Sequence, residues 1–137
     1  MKKILIIMCI FFVILCGFYA CLAPEEYVCD IDKVDSIQIV RLDDVVEYEF
    51  EYTVLSEISD CDTFVSRLNK LERSVNWGEP SVLYLQYIVI KVNYINGDVD
   101  WIHHNAQSFD RSGVSQTGYF FFDKEQFESL ISDYMNN

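Results

Sequence analysis

The chain has 137 residues, about half of them hydrophobic and 15% aromatic, with 22 acidic against 10 basic residues and a formal net charge of −12. That balance excludes the basic footprint that nucleic-acid binding needs, and the aromatic content excludes a disordered chain. It permits basic partners, cations, or a solvated acidic face.

The first element is an apolar run from Ile4 to Ala23, without a charge, after Met1-Lys2-Lys3. A helix of this length spans about 30 Å, the thickness of a hydrocarbon core. It is apolar on every face, unlike the amphipathic helices that line soluble cores. Lys2 and Lys3 precede it, and the next basic residue is Lys33. The positive-inside rule therefore puts the N-terminus in the cytoplasm and the rest of the chain outside. Residues 1–23 read as a signal sequence or membrane anchor, residues 24–33 as an acidic tether, and residues 34–137 as one extracytoplasmic domain.

Phe18-Tyr19-Ala20-Cys21 resembles the bacterial lipobox, in which an apolar residue and two small residues precede a lipid-bearing cysteine. Ala20 and Cys21 fit; Phe18 is bulkier than the usual leucine and Tyr19 departs from the pattern. The resemblance implies lipidation at Cys21. The alternative is an uncleaved helix, and both fates leave the domain on the outer face of a cell membrane. Of the five cysteines, Cys9 and Cys16 lie in the apolar run. Cys29 and Cys61 remain as a candidate disulfide pair in a compartment that permits one, with two free thiols as the alternative.

Asp30, Asp32 and Asp35 lack the glycine and the terminal glutamate of a calcium loop. Val34 to Leu42 reads as a strand, and Asp43-Asp44 as a turn. Val46, Tyr48, Phe50, Tyr52 and Val54 then alternate with Glu47, Glu49, Glu51 and Thr53. A period of two places the first set on a core face and lines the three glutamates along the other. Like charges in a row repel, so they need solvent, a cation or a basic partner opposite.

Ser59 or Asp60 caps a helix whose apolar stripe is Phe64, Val65, Leu68, Leu71 and Val75. A loop with Trp77 and Pro80 follows; Trp77 is either a lid on the core or an exposed hydrophobic anchor. Val82 to Tyr94 is apolar on both faces and reads as a central strand. Asn96-Gly97 is a hairpin signal, and the chain returns through Val99 to His104. Residues 109–113 mark another turn, and Tyr119 to Phe122 a short strand. Asp123 caps the last helix, with Gln126 positioned to close a capping box and Phe122 to staple onto Phe127. The order β-β-α-β-β-β-α predicts an α+β fold, a mainly antiparallel sheet with helices packed on one face.

For chemistry, the only histidines are His103 and His104. Neighbours on a strand point to opposite faces, so they are not expected to chelate one metal. Asp100, His104 and Ser108 lack a nucleophile elbow. No Walker, GxGxxG or HExxH pattern occurs, and no metal or cofactor is expected. The leading expectation is a membrane-tethered domain that binds a basic protein partner through Glu47, Glu49 and Glu51, with Trp77 as an anchor. The alternatives are a small envelope enzyme using His103, His104 and Asp100, or a sensor of cations or small ligands.

Overall fold

The computed structural model describes residues 27–47, 49–75, 82–118 and 120–135, together with Met8 and Phe12. The apolar run otherwise lies outside the described residues, as do Cys21 and Trp77. Among the described residues no helix is long and apolar enough to cross a membrane.

The fold is α+β. Strands β1 (Val34–Val46) and β2 (Glu49–Glu57) lead to helix α1 (Cys61–Leu68) and the short β3 (Arg73–Val75). Strands β4 (Ile88–Tyr94), β5 (Val99–Ile102), β6 (Gln107–Arg111), β7 (Val114–Thr117) and β8 (Phe120–Phe122) follow, and helix α2 (Lys124–Met135) closes the domain. Six strands form one sheet in the order β2-β1-β4-β5-β6-β7, and β3 pairs with β8 in a separate ladder. Every pairing is antiparallel.

The helices cover one face of the large sheet. Ile37, Ile39, Ile90, Val92 and Ile102 meet Phe64, Val65 and Leu68 of α1 and Phe127, Leu130 and Ile131 of α2 in the main core. The opposite face carries a smaller cluster of Val40, Leu42, Val89 and Trp101, joined by the half-buried Phe50, Leu83, Tyr87 and Val99. Strand β1 contributes to both cores by simple alternation: Ile37 and Ile39 point to the helix side, and Val40 and Leu42 to the other face.

Several sequence expectations are corrected. Asp43-Asp44 is not a turn: a register shift between Leu42 and Asp44 keeps both in β1, and the chain turns at Glu47, where φ is +52°. The first helix ends at Leu68 rather than Val75. Asn69 caps it, and Arg73–Val75 pairs with β8 instead. Residues 82–87 are not strand; Gln86 adopts φ +70°, and its N–H donates to the Leu42 carbonyl at 2.7 Å. Residues 107–117 form the hairpin β6–β7, turning at Ser112 and Gly113, both at positive φ.

The Asn96-Gly97 hairpin stands between β4 and β5, with Gly97 at φ +90°. Asp60 caps α1 by accepting the Thr63 N–H at 3.1 Å. Asp123 caps α2 by accepting the Gln126 N–H at 2.9 Å, and Phe122 stacks on Phe127 with centroids 5.9 Å apart. Gln126 does not close the box; its Oε1 accepts the Glu72 N–H at 3.0 Å, which ties α2 to the segment before β3.

The tether read into residues 24–33 is shorter than expected. Tyr27 and Cys29 are buried in the main core, and Ile31–Lys33 is a 3-10 turn capped by Asp30. Asn69 holds the Cys29 backbone on both sides, accepting its N–H at 2.9 Å and donating to its carbonyl at 2.8 Å. Arg73 donates to the Tyr27 carbonyl. Tyr27, Cys29 and Ile31 therefore pack with the folded domain.

Candidate functional site

Strand β2 has a single strand neighbour, β1, among the described residues. It is an edge, so one side of its backbone is not used by the sheet. Glu49, Glu51 and Glu57 are exposed along it. Glu47 sits in the turn, not in line with them. The alternation is real, but its apolar set does not face the main core. Phe50 and Tyr52 lie edge-on to Trp101 at 5.1 and 5.4 Å on the helix-free face, and Tyr52 and Val54 remain 37% and 41% exposed. Lys91 sits over the Tyr52 ring at 4.5 Å and reaches its hydroxyl at 2.7 Å. The edge thus presents Glu49 and Glu51 on one face and Tyr52, Val54 and, past the register shift, Glu57 on the other.

The cysteine pair is not joined. Cys29 and Cys61 are both free thiols, one buried and one half-buried. Cys29 Sγ lies 3.7 Å from the Tyr94 hydroxyl, whereas Cys61 Sγ meets the Ile58 carbonyl at 3.5 Å. Burial pushes both thiols up, away from the thiolate form. Among the described residues no group of three or more side chains has the make-up of a metal site.

Asp100 is fully buried. Its carboxylate accepts from Tyr94 Oη at 2.6 Å, Tyr27 Oη at 3.1 Å and Arg111 Nε at 2.8 Å, and it also pairs with Arg111 Nη2. Antiparallel register puts Tyr94, Asp100 and Arg111 on the helix-side face of β4, β5 and β6. Burial, reinforced by Asp100, pushes both tyrosine hydroxyls well above the usual phenol range. Asp100 likewise raises Arg111. This cluster locks the start of the domain to the sheet. It also occupies the aspartate that a Ser-His-Asp site would need. Ser108 pairs opposite Trp101, on the other face of the sheet, so the three residues of that reading do not converge.

His103 and His104 fall just beyond the end of β5, in a bend. They therefore do not point to opposite faces. Their rings approach to 4.3 Å, and Tyr87 stacks on His103 at 4.1 Å. Both line a cleft of about 430 Å³ between the segment before β4 and α2, together with Gln86, Phe127, Glu128 and Ile131. His103 Nδ1 is 2.6 Å from Asn105 Oδ1. Burial holds both imidazoles below the usual histidine range.

No family model matches the chain, no curated protein is similar to it, and no solved structure matches its fold.

Proposed function

We infer that this chain is a membrane-tethered, lipoprotein-like domain outside the cytoplasm that binds a basic protein partner along β2. The observation that carries the reading is the edge itself: nine residues with one strand neighbour among the described residues, exposed glutamates on one face, and Tyr52 with Val54 on the other. An extended basic segment adding to such an edge gains backbone hydrogen bonds, while its alternate side chains meet carboxylates. The tether supports modest affinity, because it concentrates the domain near membrane partners. Membrane attachment rests on the apolar run and on Lys2 and Lys3, with either a lipid on Cys21 or an uncleaved helix as the anchor. Intact mass of detergent-extracted protein separates these two.

The test is a cross-linking pull-down of the tagged full chain from its own membranes, with salt washes. A partner released by salt, and lost from the Glu47→Gln/Glu49→Gln/Glu51→Gln variant, supports the reading. Capture unchanged in that variant removes β2 as the binding surface. A second reading, a small-ligand sensor, is favoured by the histidine cleft.

A further inference from the structure

The cleft beside α2 has a division of labour that fits one kind of ligand. Its floor is apolar, made by Phe127, Ile131 and Met135. Tyr87 and the two imidazoles add an aromatic wall, with His103 held between the Tyr87 and His104 rings. Its polar lining is Gln86, His103, His104, Glu128 and Ser132, and Glu128 is the one charged side chain among the described lining residues. Asn105 Oδ1 accepts from His103 Nδ1, so that nitrogen carries the hydrogen and Nε2 carries the lone pair. Glu128 adds a carboxylate, and Gln86 brings an amide at a backbone position of positive φ. The ion pair between Glu128 and Lys124 is long, at 3.7 Å, and both side chains are about 60% exposed. Such a pair is worth little and exchanges readily. A volume of about 430 Å³ lies at the small end of ligand pockets.

The geometry points to this cleft as a binding site for a small organic amine, its N–H donors on Glu128 and the imidazoles and its apolar body on Phe127, Ile131 and Met135. An ammonium near Tyr87 and Phe127 also gains from the negative faces of the rings. The acidic balance of the chain raises the local concentration of any cation. The cation near the imidazoles is Lys124, and an anion there also meets Glu128. No β2 residue lines the cleft, so the partner reading and this one stand or fall separately.

The assay uses the full chain in nanodiscs, with the imidazole ring signals of His103 and His104 followed by NMR and protein-free discs as the blank. Tyramine is the probe, and tyrosol, the same body with a hydroxyl in place of the amine, is the control. Saturable shifts are expected at both rings with tyramine, with affinity about twofold to fivefold above tyrosol, the equivalent of one exposed ion pair. Glu128→Gln, an exposed change that leaves the core intact, is expected to remove that margin. Acidification gives a second readout. The charged and titratable groups facing the imidazoles are Tyr87 from the segment before β4 and Lys124 and Glu128 from α2. As pH falls through and below the ordinary histidine range, both imidazoles gain charge and then repel the amine. Tyramine affinity is expected to fall about fivefold or more over that range. Equal binding of tyrosol, insensitivity to Glu128→Gln, or no saturable shift with millimolar tyramine would each overturn the assignment.

Discussion

The sharpest stability prediction concerns Asp100→Asn. The substitution keeps the shape but removes the charge and turns one oxygen into an amide that faces donors. Four contacts are affected: Tyr94 Oη at 2.6 Å, Tyr27 Oη at 3.1 Å, Arg111 Nε at 2.8 Å and Arg111 Nη2. A wholly buried pair broken on one side costs about 3–5 kcal/mol. Here the Arg111 side chain is 43% exposed, so water compensates part of its loss. The tyrosine hydroxyls sit on residues only 6% and 8% exposed, so they receive less compensation. The expected cost is therefore about 3 kcal/mol, near the lower end of that range. For a domain of this size it corresponds to a melting point lowered by about 10–20 °C. Urea unfolding of the full chain, followed by circular dichroism, measures it, with the slope unchanged. The Asp100→Leu/Arg111→Met double variant removes both charges but takes the carboxylate acceptor from the Tyr27 and Tyr94 hydroxyls, so it is expected to lose at least as much as Asp100→Asn. A loss under about 1 kcal/mol for Asp100→Asn would refute the view that this cluster locks Tyr27 to the sheet.

Two further outcomes follow from local geometry. Burial lowers both histidines below their unfolded value, so the unfolded chain binds more protons below about pH 6.5. Stability is then full at neutral pH and falls as pH drops through that value; His103→Phe/His104→Gln flattens this part of a melting curve measured against pH, and an unchanged slope would contradict the stacking account. Gly118→Ala places a methyl group 2.6 Å from Gln107 Cβ. Gln107 is buried and donates to the His103 and Phe120 carbonyls at 2.8 and 2.9 Å, so the variant is expected to cost about 1–3 kcal/mol in urea titration; a neutral result would mean that this turn gives way freely.

The parts of the fold governed by neighbours in sequence were legible. The Asp60 and Asp123 caps, the Phe122–Phe127 staple and the Asn96-Gly97 hairpin each need a few adjacent residues, and each forms. The parts set by distant partners were not. Arg73–Val75 continues a helical period from Phe64, yet its ladder with Phe120–Phe122 depends on a strand far along the chain. The length of β1 turns on two bulges that bring Asp43 beside Thr53, whose hydroxyl donates to it at 2.6 Å. The cleft was missed because β5 stops at Ile102, which leaves the two histidines free of strand alternation. Asp100 did carry a signal: a lone carboxylate between Val99 and Trp101 in an apolar strand calls for a cation on the same face, and Arg111 stands there eleven residues later.

The most direct test of the partner reading is site-specific photocross-linking in native membranes. A photoreactive residue is placed in turn at Glu49, at Glu51 and, as a control in the turn after α1, at the exposed Lys70. A partner that docks along β2 gives the same adduct from Glu49 and Glu51, weakened by salt, and none from Lys70. Adducts from Lys70 alone, or none from either β2 position, would contradict an edge-strand binding domain.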